Sequence, residues 1–434
     1  MMKIRTNKRT RGILRMMAGI LVVWLIWRIH DYSTWTTYPN GTYPITTTIQ
    51  DGQFGKTIGL ATTRLEGISK RLGVPSFSIA VGHRGRVIWS AAEGFSNVGA
   101  MLKAMPNTQY RVGSTSKAIT TSGVARLVDT EKLDLDNSIG DSITNWTKKR
   151  WDFTMRQLLS HTAGVGNYED FGIASGRYTL CNCTQFRTAS EGLKVFDSYN
   201  LLYQPGTQFK YSSFDMNLAS VVLEQAAGIP FLDHMDKNVF DVLGMENTYA
   251  DHSKPKSDYL ATFYQIKKGH YREHRTFGIK HDVNLSYKWA GGGFISTPTD
   301  LVKLGNAWVA DSTFLSTTTK KEFWSPVRLS DGEVNEQEYA LGWRSWLNYE
   351  NDSLLGGETI WMVHHGGISK GSMNFLVLFP DYGLVVNASI NGRLENFGKF
   401  AAEVRGFANI FLSNIPKKES QLYKELVVSY KKLE

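Results

Sequence analysis

The sequence predicts an α+β fold: an antiparallel sheet assembled from both ends of the chain and flanked by helices, with a helical subdomain inserted between the two halves. Near the start, Ile58, Ala61, Leu65, Ile68 and Leu72 recur at spacings of three and four, a helical period that ends at Gly73 and Pro75. Two strand-like runs follow at 76–81 and 86–92, joined by a turn at 83–85. The far end mirrors this, with strand-like runs at 371–379 and 384–390 joined by Pro380-Asp381-Tyr382-Gly383, then a helical stretch at 397–412. The middle reads as mostly helical with long loops. Residues 215–227 are closed by Gly228. Thr297-Pro298-Thr299-Asp300 supplies a cap, a proline at the first helical position and an acid three residues on.

Composition narrows the class. With 434 residues, 42% of them hydrophobic, 40 glycines and 11 prolines, the chain has the profile of a folded globular protein. Its net charge of +9 is local: Lys3, Arg5, Lys8, Arg9, Arg11, Arg15 and Arg28 all precede the first acid, Asp31, and leave 42 bases against 40 acids in the remainder. A nucleic-acid partner is therefore not expected, because the body has no surplus of charge to neutralise phosphates. Cys181 and Cys183 stand two apart with no second pair, which suits neither a four-ligand zinc site nor a disulfide framework. They read as free thiols in a loop, with a vicinal redox pair as the alternative.

The apolar run from Met16 to Trp27 lies between Arg15 and Arg28 behind a basic flank. No small-x-small cleavage site follows it, so residues 13–29 are expected to be an uncleaved signal anchor, with a cytosolic basic tail at 1–12. The basic flank puts the bulk of the chain across the membrane, in the lumen or outside the cell. An Arg-rich, acid-free leader equally fits a mitochondrial presequence. Sequons at Asn40, Asn145, Asn182, Asn284, Asn351 and Asn387 favour the secretory route. Residues 30–55, rich in Thr, Tyr, Asn and Gly, read as a linker, 56–412 as the main folded domain and 413–434 as a basic tail.

The chemistry concentrates at Arg111–Lys117, RVGSTSK, which runs straight into an apolar helix. Ser114 and Lys117 are three apart, so they share a helical face, and a lysine of lowered pKa there could take the serine proton. Ser-x-x-Lys also occurs at Ser253 and Ser429, in a proline-containing loop and in the basic tail, and context selects Ser114. His161, in LLSHTAG, is expected to be structural. Gly291 to Gly293 lack a following Gly-Lys-Ser/Thr and read as a close-packed turn rather than a phosphate loop.

Further segments extend the pattern: 74–89, 110–139, 155–165, 205–231, 290–308, 339–344 and 364–372, the last beginning His364-His365-Gly366-Gly367. Taken in order, they resemble the serine β-lactamase-like and penicillin-binding-protein superfamily, on the class C branch that includes the LACTB-type eukaryotic members. That resemblance implies a β-lactamase/transpeptidase-like fold. It also implies Ser114 as the acylated nucleophile, Lys117 as its base partner and Tyr211 as a proton carrier. Ser213, standing where the family has Asn, and His364, His365 and Gly366, standing for Lys-Thr-Gly or His-Thr-Gly, are implied to bind substrate, with His364 in the place of the cation. The backbone N–H groups of Ser114 and Gly367 are implied to form the oxyanion hole.

The expected function is a serine hydrolase acting on a peptide or a small ester or amide, with no metal or organic cofactor. The rival reading is a silent scaffold that keeps the fold for partner binding or for assembly into a homo-oligomer, motivated by the substitutions at Ser213 and His365.

Overall fold

A computed structural model describes residues 8–171, 184–252, 257–267, 269–275, 283–350, 354–418 and 420–431. Cys181, Cys183, Asn182, Asn351 and Ser253 lie outside the described residues. The chain opens with α1 (Lys8–Ser33), whose Gly12–Ser33 portion is long and apolar enough to cross a membrane. Then come β1 (Ile45–Gln50), α2 (Gly55–Leu65), β2 (Ser76–His83) and β3 (Arg86–Asn97). The middle supplies α3 (Ser116–Asp129), α4 (Ser213–Ala227) and α5 (Pro298–Ala310). The last part adds β4 (Arg344–Tyr349), β5 (Ile360–Ser369), β6 (Ser372–Phe379), β7 (Leu384–Ile390), α6 (Phe397–Leu412) and α7 (Gln421–Lys431).

The main sheet runs β4-β5-β6-β7-β2-β3-β1, every pairing antiparallel, so strands from the two chain ends meet where β7 pairs with β2. Alternation along each strand sends successive side chains to opposite faces. Trp361, Val363, Leu376, Leu378 and Val385 join the core shared with α3, α4 and α5. Ile360, Met362, Phe375, Val377 and Val386 join the second core, built with α2 and α6. The fold is the α+β arrangement expected, with the helical subdomain against one face of the sheet. The caps are as read from sequence: the Thr297 side chain accepts the Asp300 N–H, and Gly228 closes α4 at φ +67.

Three expectations need correction. Residues 30–55 are not a plain linker. Residues Ile45–Gln50, ITTTIQ, pair with β3 as the edge strand, since β-branched residues suit an extended strand that need bury only one face. The tail at 413–434 is likewise not wholly free: α7 buries Leu426, stacks Tyr423 on Trp361 at 5.8 Å and pairs Glu425 with Lys321. The single helix expected over 58–72 is two, α2 and a short turn at Ile68–Leu72, broken at Gly67 with φ +72.

Glu93, buried on β3, explains that break, because its carboxylate accepts the backbone N–H groups of Gly67 and Ser69, the latter at 2.7 Å. Replacing Glu93 by Ala strands two N–H groups and is expected to cost roughly 2–3 kcal/mol in a denaturant melt. An unchanged midpoint would show that water replaces the carboxylate.

Two sequons are disqualified by burial. Asn387 is fully buried in β7, exchanging amide hydrogen bonds with Asn374 at 2.9 and 3.1 Å, and Asn284 is buried as well. Asn40 and Asn145 are exposed.

Candidate active site

Ser114 sits in a tight turn, Gly113–Thr115, that leads into α3, and it is the least buried residue between Arg111 and Ala125. The turn is pinned from two sides. Arg111 pairs with Ile295 in a short strand and the Val112 N–H donates to the Phe294 carbonyl at 3.1 Å. On the other side β5 lies directly against the turn: a Cβ on Gly367 would stand 1.9 Å from the Val112 oxygen and 2.8 Å from the Ser114 nitrogen. Only glycine lets the two backbones approach this closely.

At the second residue of α3, Lys117 is fully buried. Its Nζ donates to Ser114 Oγ at 3.2 Å, to Ser213 Oγ at 3.3 Å and to the Gly291 carbonyl at 2.6 Å, and it lies 4.7 Å from the centre of the Tyr211 ring. Burial pushes the ammonium down to about 7; Lys288 and Arg344 add to the shift while Tyr168 and Asp215 oppose it. Gly291 belongs to a close-packed turn, as expected, and its lack of a side chain matters: a Cβ there would meet the Ser213 carbonyl at 2.3 Å. The turn runs from a helical segment into a strand.

Tyr211 lies beside Ser114. Burial raises its phenol, against the pull of Arg344, a hydrogen bond to Ser114, and Lys288. Behind it stands His161, its ring 4.5 Å from that of Tyr211 and 4.7 Å from that of Tyr339. His161 Nδ1 meets Asp215 Oδ2 at 2.8 Å and also faces the Ser212 N–H at 3.4 Å. Burial drives Asp215 well above the carboxylate range, and burial with Lys117 and Arg344 drives His161 well below its own. The two side chains thus meet in a fully buried hydrogen bond behind Tyr211. His161 packs the site from behind, as its sequence context suggests.

The histidine pair on β5 is divided by strand alternation. His365 points to the Ser114 face, its ring 6.4 Å from Tyr211. Its Nδ1 meets the Gly366 carbonyl at 2.8 Å and its Nε2 meets the Tyr339 hydroxyl at 2.9 Å. A carbonyl can only accept, so Nδ1 carries the proton and Nε2 accepts from Tyr339. Burial, with Arg344 and Lys117 close by, keeps the ring neutral. His364 points to the other face, 4.2 Å from the Trp346 ring and 5.4 Å from Phe375, with its imidazole held well below its usual range by burial, Arg344 and Arg405.

The substrate-binding positions therefore need revision. His364 does not stand in the cation's place, because period-two alternation turns it away. His365 faces Ser114 and Tyr211 but is fully buried with both nitrogens engaged. Gly366 offers no side chain, and the Phe397 ring fills the space a Cβ would take, 2.5 Å away. The Ser213 hydroxyl is turned to Lys117.

Four further residues complete the walls. Asn167 Oδ1 accepts the Ser213 N–H at 3.3 Å. Lys288 lies over the rings of Tyr168 and Tyr287 at 5.3 and 5.6 Å, and Arg344 lies over Tyr211 and Tyr339 at 5.6 and 5.2 Å. Tyr339 and Arg344 belong to the YALGWR stretch, and Lys288 just precedes AGGGF, so each sits in or beside a segment that marks the site. Asn167 likewise follows the 155–165 segment by two residues.

A family model described as Beta-lactamase matches residues 61–408. The serine beta-lactamase-like protein LACTB, mitochondrial, of Bos taurus is 26% identical over 410 residues, covering 76% of this chain and 72% of that one. Two solved structures share the fold. EstCE1, a hydrolase with promiscuous acyltransferase activity, aligns with TM-score 0.66 at 20% identity over 82% of this chain and 99% of its own. The D-amino acid amidase from Ochrobactrum anthropi SV3 aligns with TM-score 0.65 at 19% identity over the same two shares. The family match spans every strand of the main sheet but the edge strand β1, the helical insertion and all the groups gathered around Ser114, and on that ground this chain belongs to the beta-lactamase family, whose fold is that of serine hydrolases.

Proposed function

We propose that the protein is a membrane-anchored serine hydrolase that cleaves a peptide or a small ester or amide through an acyl-enzyme on Ser114. The observation that carries this reading is Lys117: a buried lysine, 3.2 Å from Ser114 Oγ, whose pKa of about 7 leaves much of it neutral at physiological pH. Neutral Lys117 takes the Ser114 proton as Oγ attacks the substrate carbonyl carbon. The N–H groups of Ser114 and Gly367, brought together by the approach of β5, are the donors proposed for the oxyanion. Tyr211 relays the proton from Lys117 to the leaving group, the acyl bond to Ser114 forming as the scissile bond breaks. Water then attacks the acyl-enzyme, losing its proton through the same pair, and Ser114 is regenerated. With His364 turned away and Gly366 bare, substrate is held by shape and by the positive field of Lys288 and Arg344 rather than by a cation on β5.

The test is covalent labelling of the full chain with a fluorophosphonate, read by intact mass, followed by profiling with peptide, amide and ester substrates. A single adduct is expected; a folded protein that takes none overturns the reading in favour of a scaffold.

The pH dependence has a definite sign. Activity needs neutral Lys117, so kcat/KM is expected to rise tenfold per unit on the acid side and level off near pH 7. Since the folded pKa lies below the unfolded value, the unfolded chain binds more protons between about 7 and 10.5, and Lys117 makes the fold more stable as pH rises through that window. A kcat/KM still climbing at pH 9 would mean that the lysine keeps its ordinary pKa.

As for address, α1 anchors the chain. The bovine relative is described as mitochondrial, and the six bases before Met16, with two of the sequons buried, suit that destination as well as a secretory one.

A further inference from the structure

Where α1 leaves its apolar stretch, the chain does not swing free of the body. Thr36 and Thr37 pair with Tyr271 and His270, Asp31 is held by the Arg272 guanidinium, and Arg272 lies 4.4 Å over the Trp35 ring. Between the end of α1 and the hairpin formed by Tyr264–Lys267 and His270–Glu273 this leaves a cleft of about 530 Å³. Arg28, Asp31, Tyr32, Trp35, Lys267 and His270 line it.

The depth of this cleft follows from the helix. If the hydrocarbon core ends near Ile29, the four residues to Ser33 rise about 6 Å. A headgroup layer is roughly 5–7 Å thick on each side of the core. The cleft therefore opens at headgroup level, with Tyr32 80% exposed on the helix and Trp35 just beyond it, both residue types that favour that layer. Its charge is one-sided. Arg28 and Lys267 contribute basic side chains, His270 adds an imidazole, and the one carboxylate in the lining, Asp31, is already engaged by Arg272.

We infer that this cleft is a binding site for the phosphate of an anionic phospholipid headgroup, which clamps the hydrolase body against the membrane surface beside its anchor. The inference rests on the reading of α1 as a membrane anchor, and the two can fail separately.

The test uses the full chain reconstituted in nanodiscs of phosphatidylcholine with a minor fraction of phosphatidylglycerol, with the lipid retained on the protein identified by native mass spectrometry. Wild type is expected to retain phosphatidylglycerol above its bulk fraction. Lys267→Gln and Arg28→Gln should each cut that enrichment about fivefold, the effect of one basic charge near a membrane surface, while hydrolase activity toward a soluble substrate stays unchanged for Lys267→Gln. Enrichment equal in wild type and both variants would place the lipid elsewhere and overturn the proposal. Displacement of the lipid by inorganic phosphate would show a free-anion site and overturn it too. A chain that is washed off phosphatidylcholine vesicles by alkaline carbonate refutes the anchor itself, whereas one that stays bound without enrichment refutes only the headgroup site.

Discussion

Replacing Ser114 by Ala in the full chain is expected to lower kcat by about 10³ to 10⁶ and to abolish the fluorophosphonate adduct, as loss of an attacking oxygen does in serine hydrolases generally. The fold should survive the change. Ser114 is only partly buried, and Lys117 keeps its hydrogen bonds to the Gly291 carbonyl and Ser213 when the serine hydroxyl is gone. Thermal melts of the two proteins should therefore coincide closely, which separates lost chemistry from lost structure. Retained turnover in Ser114→Ala would remove the acyl-enzyme mechanism whatever the labelling showed.

The second large effect is expected at Gly367. An alanine Cβ would come 1.9 Å from the Val112 carbonyl oxygen, and both partners are backbone, so neither can rotate away. The strand must shift from the Gly113–Thr115 turn by about 1 Å or more. Displacement on that scale costs on the order of 100-fold in rate when it misplaces groups around a reacting centre. Overpacking of this kind also destabilises by roughly 1–3 kcal/mol. Gly367→Ala should thus lower kcat at least as steeply as kcat/KM and shift the denaturation midpoint. Gly59→Ala, at an exposed helical glycine with open space around it and no positive φ, is the control for a glycine-to-alanine change without a clash. If Gly367→Ala keeps wild-type kcat, the approach of β5 to Ser114 has no part in the reaction.

Much of this protein was legible along the chain because the signals are local. The 384–390 strand and the 397–412 helix have the bounds expected of them, since apolar periodicity and flanking turn residues are properties of neighbouring positions. Ser114 and Lys117 were legible for the same reason: two residues three apart across a turn leading into a helix meet whatever packs around them. Less local features were not. The break at Gly67 depends on Glu93, 26 residues on, and the edge strand at Ile45–Gln50 exists only because β3 offers it a partner.

The histidine pair shows the boundary most clearly. Sequence determined that two imidazoles precede two glycines, and that this segment belongs with Ser114 and Tyr211. It did not determine which imidazole faces the serine, because a one-residue change of strand register sends every side chain to the opposite face. Pairing of β5 between β4 and β6 made that choice, turning His365 to Tyr339 and Tyr211 and His364 to Trp346 and Phe375. The lowered pKa of Lys117 was decided in the same way. A lysine three residues after a serine is a matter of sequence, but its desolvation requires α4, the Gly291 turn and Tyr211 to close over it, and burial of that kind exists only in the folded chain.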